Sequence, residues 1–558
     1  MRRFASSAPF ALVVLLVGCQ REVGGTRGSG PASSAGGSAG AAGVGGGSML
    51  GPQSAVPLTP VVRRLTRDEL QNTLGDQVGI SASAAELEAV PKDRPLEGFV
   101  NTATSQSASP EHVAGYASLA RAIASRIEAG SLAAHGACQV TSSECQASFV
   151  ASLGRLLFRR PLAAGEGVAF AALFQTAVET AAGFDEAARF VLEAMLQSPQ
   201  FLYRLELETA AATGLVAGQP RPIQGYEMAT RLAYLLWESA PDAALLQAAE
   251  AGTLDSVEGV QGEVLRMLQL QERTRRPTQR FLLDWARLES LPESELKAEL
   301  VSSLLAFYQD FVWVKQAPLT QAFTARHAFL TPRLAQNFGL VPAGDGVLQY
   351  DLTQAPGRLG LLTQPGLLAG MTNADGGAIV ARGLFLQSQL LCGETPSPPA
   401  SLQEAIDAFV AEQPPSASAR QIAEVRLQRP ECGACHGMFD PLAYGLEQFD
   451  FQGRFRDRDE LGSALTTDGW IPARFNADGL DAPYAGVEDY MQLLSQSAAV
   501  GACLAKQHLQ YALGQRLEHE HDAVASELFA QVSQRGGTYA ALLEAIVIHP
   551  LFRELKVQ

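Results

Sequence analysis

The sequence lacks the local motifs that mark several large enzyme classes. Its 558 residues contain no P-loop, no dinucleotide-binding glycine fingerprint, no H-E-x-x-H pair and no Ser-His-Asp order. Kinase, dehydrogenase and hydrolase activities therefore have no local support. Basic residues are also few, since 42 Lys and Arg stand against 58 Asp and Glu, for a formal net charge of −16. This balance disfavours a nucleic-acid partner.

Long apolar runs, alternating strands and internal repeats are scarce as well. Beyond the N-terminus no apolar run reaches the length of about 18 residues that a membrane-spanning helix needs. Convincing alternating strands are absent, and no repeat of fixed period indicates a solenoid. With 47% hydrophobic residues, the chain is long enough for several cores.

The N-terminus resembles a bacterial lipoprotein signal. Arg2 and Arg3 precede an apolar stretch over residues 8–17, and Leu16-Val17-Gly18-Cys19 is a lipobox. We expect cleavage before Cys19 and acylation of its thiol. Residues 24–47 are almost wholly Gly, Ser and Ala, a composition typical of a flexible tether. The sequence thus predicts an exported protein, lipid-anchored in the bacterial cell envelope at the periplasmic face or the cell surface.

Helical periodicity dominates the chain after the tether. Thr66 and Glu69 form a capping-box pattern before an apolar helix. Ser198-Pro199 is typical of a helix start, here over residues 201–208. Further helices are expected over the following segments: 110–127, 149–158, 166–182, 226–238, 245–251, 260–270 and 278–291. Residues 347–352 and 466–472 have only weak strand character.

Cys432-Gly433-Ala434-Cys435-His436 is a C-x-x-C-H motif. In an exported protein this motif is typical of covalently attached haem c, in which two thiols bind the macrocycle and the imidazole binds its iron. A disulfide or redox dithiol, and a zinc site, are the alternatives. Zinc has the least support, because no second C-x-x-C and no paired His cluster follows at finger spacing.

The residues after the motif suggest a second iron ligand. Met491 lies 55 residues beyond His436 in a helical stretch, and His508 lies on a helix face with Leu504. A thioether would raise the haem potential and a second imidazole would lower it. Packing in the core is the alternative for both side chains. Asp440 is expected to cap the next helix or to lie in a plain turn.

Four of the seven cysteines remain after lipidation and haem attachment are assigned. They are Cys138, Cys145, Cys392 and Cys503. Thiols in an oxidising compartment tend to pair, so we predict that Cys138 bonds Cys145 and that Cys392 bonds Cys503. The alternative for Cys503 is an unpaired buried thiol.

Five short segments over about residues 60–555 carry a family resemblance. In chain order they are Arg63-Arg64-Leu65-Thr66 with Gly98-Phe99-Val100-Asn101; Phe158-Arg159-Arg160-Pro161-Leu162; Ser198-Pro199-Gln200-Phe201-Leu202-Tyr203-Arg204 with Arg231-Leu232-Ala233-Tyr234-Leu235-Leu236-Trp237; the C-x-x-C-H segment from Arg429 to Arg454; and Tyr511-Ala512-Leu513-Gly514-Gln515-Arg516. They resemble the planctomycete-type cytochrome c multidomain family, exported proteins built from several domains of unknown function. The resemblance implies a haem-associated exported protein and names no substrate.

These patterns predict a mostly α, multi-module helical protein with a cytochrome-c-like helical haem module in its C-terminal third. The expected divisions are a signal peptide at 1–18, a tether at 19–58, helical modules at 59–135, 136–210 and 211–350, the cytochrome-c-like module at 351–474, and a C-terminal helical module at 475–558.

The predicted function is electron transfer through covalently bound haem c in a membrane-anchored protein. One alternative is a haem-dependent oxidoreductase in which the helical modules form a substrate pocket. The other is a surface binding or scaffold protein with a structural C-x-x-C disulfide. The partner is accordingly a redox protein or a small-molecule substrate, and the sequence does not say whether the chain is an enzyme.

Overall fold

Helices form most of the regular structure in the computed structural model of the chain. The structure describes residues 57–95, 98–127, 143–180, 183–206, 216–372, 378–395, 400–414, 416–450, 453–459 and 461–557. The predicted signal peptide, Cys19, nearly all of the tether and Cys138 lie outside these residues. Within them, no helix is both long enough and apolar enough to cross a membrane.

The elements are mostly short helices joined by turns. The α-helices are Arg67–Thr73, Ala84–Glu88, Pro110–Arg126, Ser143–Leu157, Ala164–Thr180, Phe184–Leu196, Pro199–Leu202, Gly225–Trp237, Ala243–Glu250, Val257–Leu268, Gln271–Trp285, Glu295–Gln309, Pro332–Asn337, Pro365–Gly370, Ala378–Phe385, Gln403–Glu412, Ala419–Gln428, Pro430–His436, Asp440–Ala443, Gly486–Gln496, Ala498–Leu513, Asp522–Gln534, Tyr539–Ile548 and Pro550–Arg553. π-Helical turns occupy Leu74–Val78, Asp310–Val314 and Leu386–Leu390, and 3₁₀ turns occupy Ala103–Ser105, Thr253–Asp255, Leu288–Ser290, Leu319–Phe323, Leu361–Thr363, Ala400–Leu402, Tyr444–Leu446, Ala473–Phe475 and His519–His521.

The described residues contain four two-stranded antiparallel ladders, of which the first two join distant parts of the chain and the last two join nearby segments. Arg63–Arg64 pairs with Tyr203–Arg204, Pro220–Pro222 with Glu554–Lys556, His327–Leu330 with Leu348–Asp351, and Gly469–Ile471 with Ala482–Tyr484. Both segments with weak strand character therefore contain a strand. Each of these strands needs a partner from elsewhere in the chain, so its own sequence carries little signal.

Capping residues explain why several helices begin where the sequence predicts. The Thr66 hydroxyl accepts the Glu69 backbone N–H, and the Glu69 carboxylate accepts the Thr66 N–H, which confirms the capping box. Ser198 caps the helix after it, as predicted, but that helix ends at Leu202. The prediction of a helix over residues 201–208 was wrong, because Tyr203 and Arg204 turn extended to pair with the strand Arg63–Arg64.

The largest hydrophobic core contains Phe99 and many residues between Ile223 and Leu555. A second core, from Leu65 to Tyr234, holds the N-terminal helices together. From residue 57 onward, the described residues form a single compact unit. The helical segments therefore share cores, and contacts between them carry much of the structure.

A small separate core supports the C-x-x-C-H segment. It consists of Ile379, Ala423, Ala443 and Tyr444, with Leu427 and Trp470 packed against it. Ala423 lies on the helix before the motif and Ala443 on the helix after it. The motif is thus held from both sides by elements that are themselves anchored in the core.

Candidate functional site

The C-x-x-C-H motif forms one short helix, Pro430–His436, which we call the motif helix. Pro430 occupies its first turn, where the missing backbone N–H costs nothing. None of its residues is buried. Since residues three and four apart share a helix face, Cys432, Cys435 and His436 lie toward the same side. The chain therefore presents two thiols and an imidazole together on a helix that the core does not cover.

Gly433 allows the motif helix to lie close to the preceding helix, Ala419–Gln428. A Cβ atom at Gly433 would come within 2.3 Å of the Leu427 carbonyl oxygen, closer than real Cβ contacts. A side chain at this position would push the motif helix away from its support. The first variable position of the motif is therefore restricted to glycine by packing.

A buried carboxylate fixes the orientation of the His436 ring. The Asp440 side chain is fully buried, and its Oδ1 lies 3.2 Å from His436 Nδ1. Its other oxygen accepts hydrogen bonds from Arg426 Nε at 3.1 Å and Nη2 at 2.5 Å. A carboxylate only accepts, so Nδ1–H donates to it, and in the neutral ring Nε2 then carries no proton. Nε2 is then the ring nitrogen that can bind iron.

Asp440 does not have the capping role considered from the sequence. It is the first residue of the helix Asp440–Ala443, whose N-cap is Phe439 and has no side-chain capping hydrogen bond. The cap prediction was wrong, because the carboxylate points back to His436 and Arg426. Sequence spacing offered one signal for this contact: Asp440 follows His436 by four residues, a separation at which side chains can meet.

The donor set fits covalent haem. Cys432 and Cys435 are free, half-buried thiols, and the His436 side chain is 25% exposed. Thioether attachment needs two unpaired thiols and an imidazole with a free nitrogen, which is what the motif helix offers. Among the described residues, no three His, Cys, Asp or Glu side chains cluster as a metal-binding group. Haem attachment does not depend on such a cluster.

The two candidates for the second iron ligand lie in the core. Met491 is fully buried in the helix Gly486–Gln496. His508 is stacked on Phe281 with ring centroids 3.9 Å apart, and its Nδ1 donates to the Leu504 carbonyl. Burial lowers the pKa of His508 to about 4, so the ring is neutral. Neither residue is joined to His436 by a hydrogen bond or ring contact within the described residues, and the distal ligand stays a prediction.

A disulfide joins Cys392 to Cys503, which confirms the predicted long-range bridge. The two residues are separated by 111 positions, and their Cα atoms lie 5.3 Å apart. The Cys503 side of the bridge is buried. Cys145 is disulfide-bonded as well. Its predicted partner, Cys138, lies outside the described residues.

An open cleft of about 950 Å³ lies beside this disulfide. Its lining mixes apolar side chains such as Phe475 and Phe529 with Arg474 and Lys506. Lys506 pairs with Asp522 at 2.6 Å. Arg474 Nη1 lies 2.6 Å from the sulfur of Met438, two residues after His436. The rim of the cleft therefore reaches the segment that follows the motif helix.

Models of known protein families match most of the chain. Five family models match, each described as a protein of unknown function. They are DUF1587 over residues 63–128, DUF1595 over 145–206, DUF1592 over 223–340, DUF1588 over 358–459 and DUF1585 over 481–552. The chain belongs to the planctomycete-type cytochrome c multidomain family. The motif helix lies within the region matched by the DUF1588 model, which is named PSCyt3. Searches of the curated proteins and of the solved structures found no match.

Most of the family-like segments make contacts between regions that different family models match. Arg159 Nη1 donates to the Tyr234 hydroxyl at 3.3 Å. Asn101 Nδ2 donates to the Tyr511 carbonyl at 2.8 Å. Because such contacts link regions matched by different models, they hold these regions together in the fold. The motif helix is different, because its two thiols are free and none of its residues is buried.

Sequence reasoning missed three residues of this site. Arg426, Gly433 and Arg474 each act through a tertiary contact, with Asp440, with the preceding helix and with Met438. Arg474 lies 38 positions from His436, a separation that no local pattern bridges. Gly433 is an unspecified position of the motif, and Arg426 precedes the motif helix on a separate element.

Proposed function

We propose that this protein is an exported c-type cytochrome that carries haem covalently on Cys432 and Cys435 and transfers electrons through it. The observation that carries the proposal is the motif helix, which presents two free thiols and an imidazole whose Nδ1 is already engaged by Asp440. Membership of a cytochrome-c-type family supports it.

The attachment chemistry consumes no other reactant. Each thiol adds across one vinyl group: the S–H bond and the vinyl π bond break, and a C–S and a C–H bond form. His436 Nε2 would hold the haem iron. Bound haem would supply one-electron redox chemistry. The surrounding protein holds the ring of His436 and keeps the motif helix in place.

Expression in a host with a c-type maturation system tests this function. A denaturing gel stained for haem should show a coloured wild-type band, because the thioether bonds survive unfolding. Cys432→Ala and Cys435→Ala should lose or cripple attachment, and His436→Ala should disrupt maturation. His519→Ala is the matched control, since His519 is exposed and far along the chain. A colourless wild-type band from folded, exported protein would contradict the proposal and favour the scaffold alternative.

Electron transfer and oxidoreductase chemistry differ in whether the iron keeps an open position. The cleft whose rim reaches Met438 favours the oxidoreductase as a second candidate, because it could hold a small-molecule substrate near the motif helix. Carbon monoxide separates the two. No change in the reduced visible spectrum on adding it favours a six-coordinate electron carrier, and rapid binding favours an open catalytic iron.

We also propose that the protein is lipid-anchored through Cys19. The support is the dibasic start, the short apolar stretch and the lipobox. Growth with a fatty-acid probe should label the wild-type protein, and Cys19→Ser should lose the label. Undiminished label in Cys19→Ser would contradict the anchor.

A further inference from the structure

Asp440 lies between a cation and the proposed iron ligand. Its side chain has no exposed surface, one oxygen meets His436 Nδ1 at 3.2 Å, and the other meets two nitrogens of Arg426. Arg426 is itself largely covered, with 15% of its side chain exposed. The three side chains come from three successive helices, so the packing of those helices sets the contact.

This arrangement has a chemical consequence for any metal on Nε2. A carboxylate that accepts the Nδ1 proton fixes the tautomer and the ring orientation, and it makes the imidazole a stronger electron donor. Stronger donation stabilises the oxidised iron and lowers its reduction potential. Arg426 acts in the opposite sense, because its positive charge withdraws electron density from the same carboxylate.

We propose that Asp440 is a positioning residue that orients His436 and lowers the reduction potential of the bound haem, and that Arg426 limits the size of this effect. The inference rests on the proposed function, since it needs haem on the motif helix. It assigns a role to two residues outside the C-x-x-C-H motif.

The alternative role for Asp440 is purely structural. A carboxylate that only paired with Arg426 would hold the helix Ala419–Gln428 to the helix Asp440–Ala443 and would not affect the iron. The contact with His436 distinguishes the two roles. Its effect must appear in properties of the imidazole, whereas a structural role would appear only in stability.

The experiment measures the reduction potential of the haem-loaded protein by spectroelectrochemistry. Asp440→Asn should raise the potential, because the amide is a weaker acceptor for Nδ1–H. Arg426→Gln should lower it, because the carboxylate then acts on the imidazole without a competing cation. Glu412→Gln and Arg429→Gln form the matched control pair. These residues make an exposed ion pair beside the motif helix, so the variants remove the same charges without touching His436. We expect smaller shifts from the control pair.

A second readout reports on the ring itself. In the reduced protein, the NMR signal of the His436 Nδ1 proton should move and exchange faster with solvent in Asp440→Asn, and it should be unchanged in Glu412→Gln. Shifts no larger than those of the control pair, together with an unmoved Nδ1 proton, would overturn the inference. If Asp440→Asn fails to fold, Arg426→Gln still decides, because an unchanged or raised potential would overturn it.

Failure of this inference differs from failure of the proposed function. A wild-type band without haem stain would remove the function itself. A haem-stained wild type in which both variants keep the wild-type potential would leave the function intact and remove only the role of Asp440.

Discussion

Two kinds of family-like segment differ in how their polar groups are used. Arg231, in the third of these segments, is buried and makes two hydrogen bonds to Glu206 at 2.6 and 2.7 Å. It also donates to the Phe552 carbonyl, so one side chain joins regions matched by three family models. The motif helix has no buried residue, and its thiols remain free. The first kind therefore joins regions of the architecture, whereas the two thiols of the second kind are not bonded to other parts of the chain.

The electrostatics of the two regions follow the same division. Burial raises the pKa of Glu206, but Arg231, Arg63 and Arg204 more than compensate and lower it to about 2. Glu206 is therefore an anion that depends on its partners. Next to the motif helix, the Asp440 carboxylate is also buried between partners, which are Arg426 and the proposed iron ligand His436.

The largest expected effect is loss of the buried cation. Arg231→Met should destabilise the protein by about 3–5 kcal/mol, because it leaves the Glu206 carboxylate buried without its main partner. Denaturant unfolding measures the change. Arg121→Met is the control: Arg121 pairs with Glu193 on the surface with 76% of its side chain exposed, and its loss should cost less than about 1 kcal/mol. Equal losses of unfolding free energy in Arg231→Met and Arg121→Met would contradict the special role of the buried cation.

Next in size is the disulfide between two of the matched regions. The double variant Cys392→Ala, Cys503→Ala should lose about 2–5 kcal/mol of stability, because the crosslink restricts the unfolded chain. Wild-type protein unfolded in the presence of a reductant should match the variant. Recovery of Cys392 and Cys503 as free thiols from unreduced, natively exported protein would contradict the bridge.

A smaller effect depends on pH. Burial lowers the pKa of His549 from 6.5 to about 4, and its Nδ1 accepts the Leu551 backbone N–H, which only the neutral ring can do. The unfolded chain binds the proton more readily, so stability is full above pH 6.5 and falls as the pH drops toward about 4. The contribution is at most about 3 kcal/mol.

His549→Asn tests this account, because the amide oxygen can cap the helix without titrating. Unfolding free energies measured between pH 7 and pH 4 should fall less steeply in the variant than in the wild type. His519→Asn, at an exposed histidine, should leave the slope of the wild type nearly unchanged at the acid end. An identical slope in wild type and His549→Asn would contradict the assignment.

The smallest expected effect on stability comes from replacing the two cysteines of the motif helix. In protein produced without haem maturation, Cys432→Ser with Cys435→Ser should change the unfolding free energy by no more than about 0.5 kcal/mol, because neither side chain is buried. The same pair of changes should abolish haem staining. A large loss of stability would show that the motif helix is part of the core.

Local patterns predicted much of the helical structure and one of the bonds. The capping box at Thr66 was predicted because both partners lie within one turn. The bridge between Cys392 and Cys503 was predicted from the number of cysteines and the inferred compartment. The helix predicted over residues 201–208 failed because a strand partner more than a hundred positions away made Tyr203 and Arg204 extended.

By itself, the sequence determined the mostly helical class and the family, and it predicted the chemistry of the motif, because caps, apolar periodicity and C-x-x-C-H spacing act within a few residues. Only the tertiary structure decided that Asp440 binds His436 and not a helix end, that Gly433 must lack a side chain, and that Arg231 joins three regions. Each of these depends on where separate helices cross. Such crossings are set by cores assembled from the whole chain, and no local window of sequence contains them.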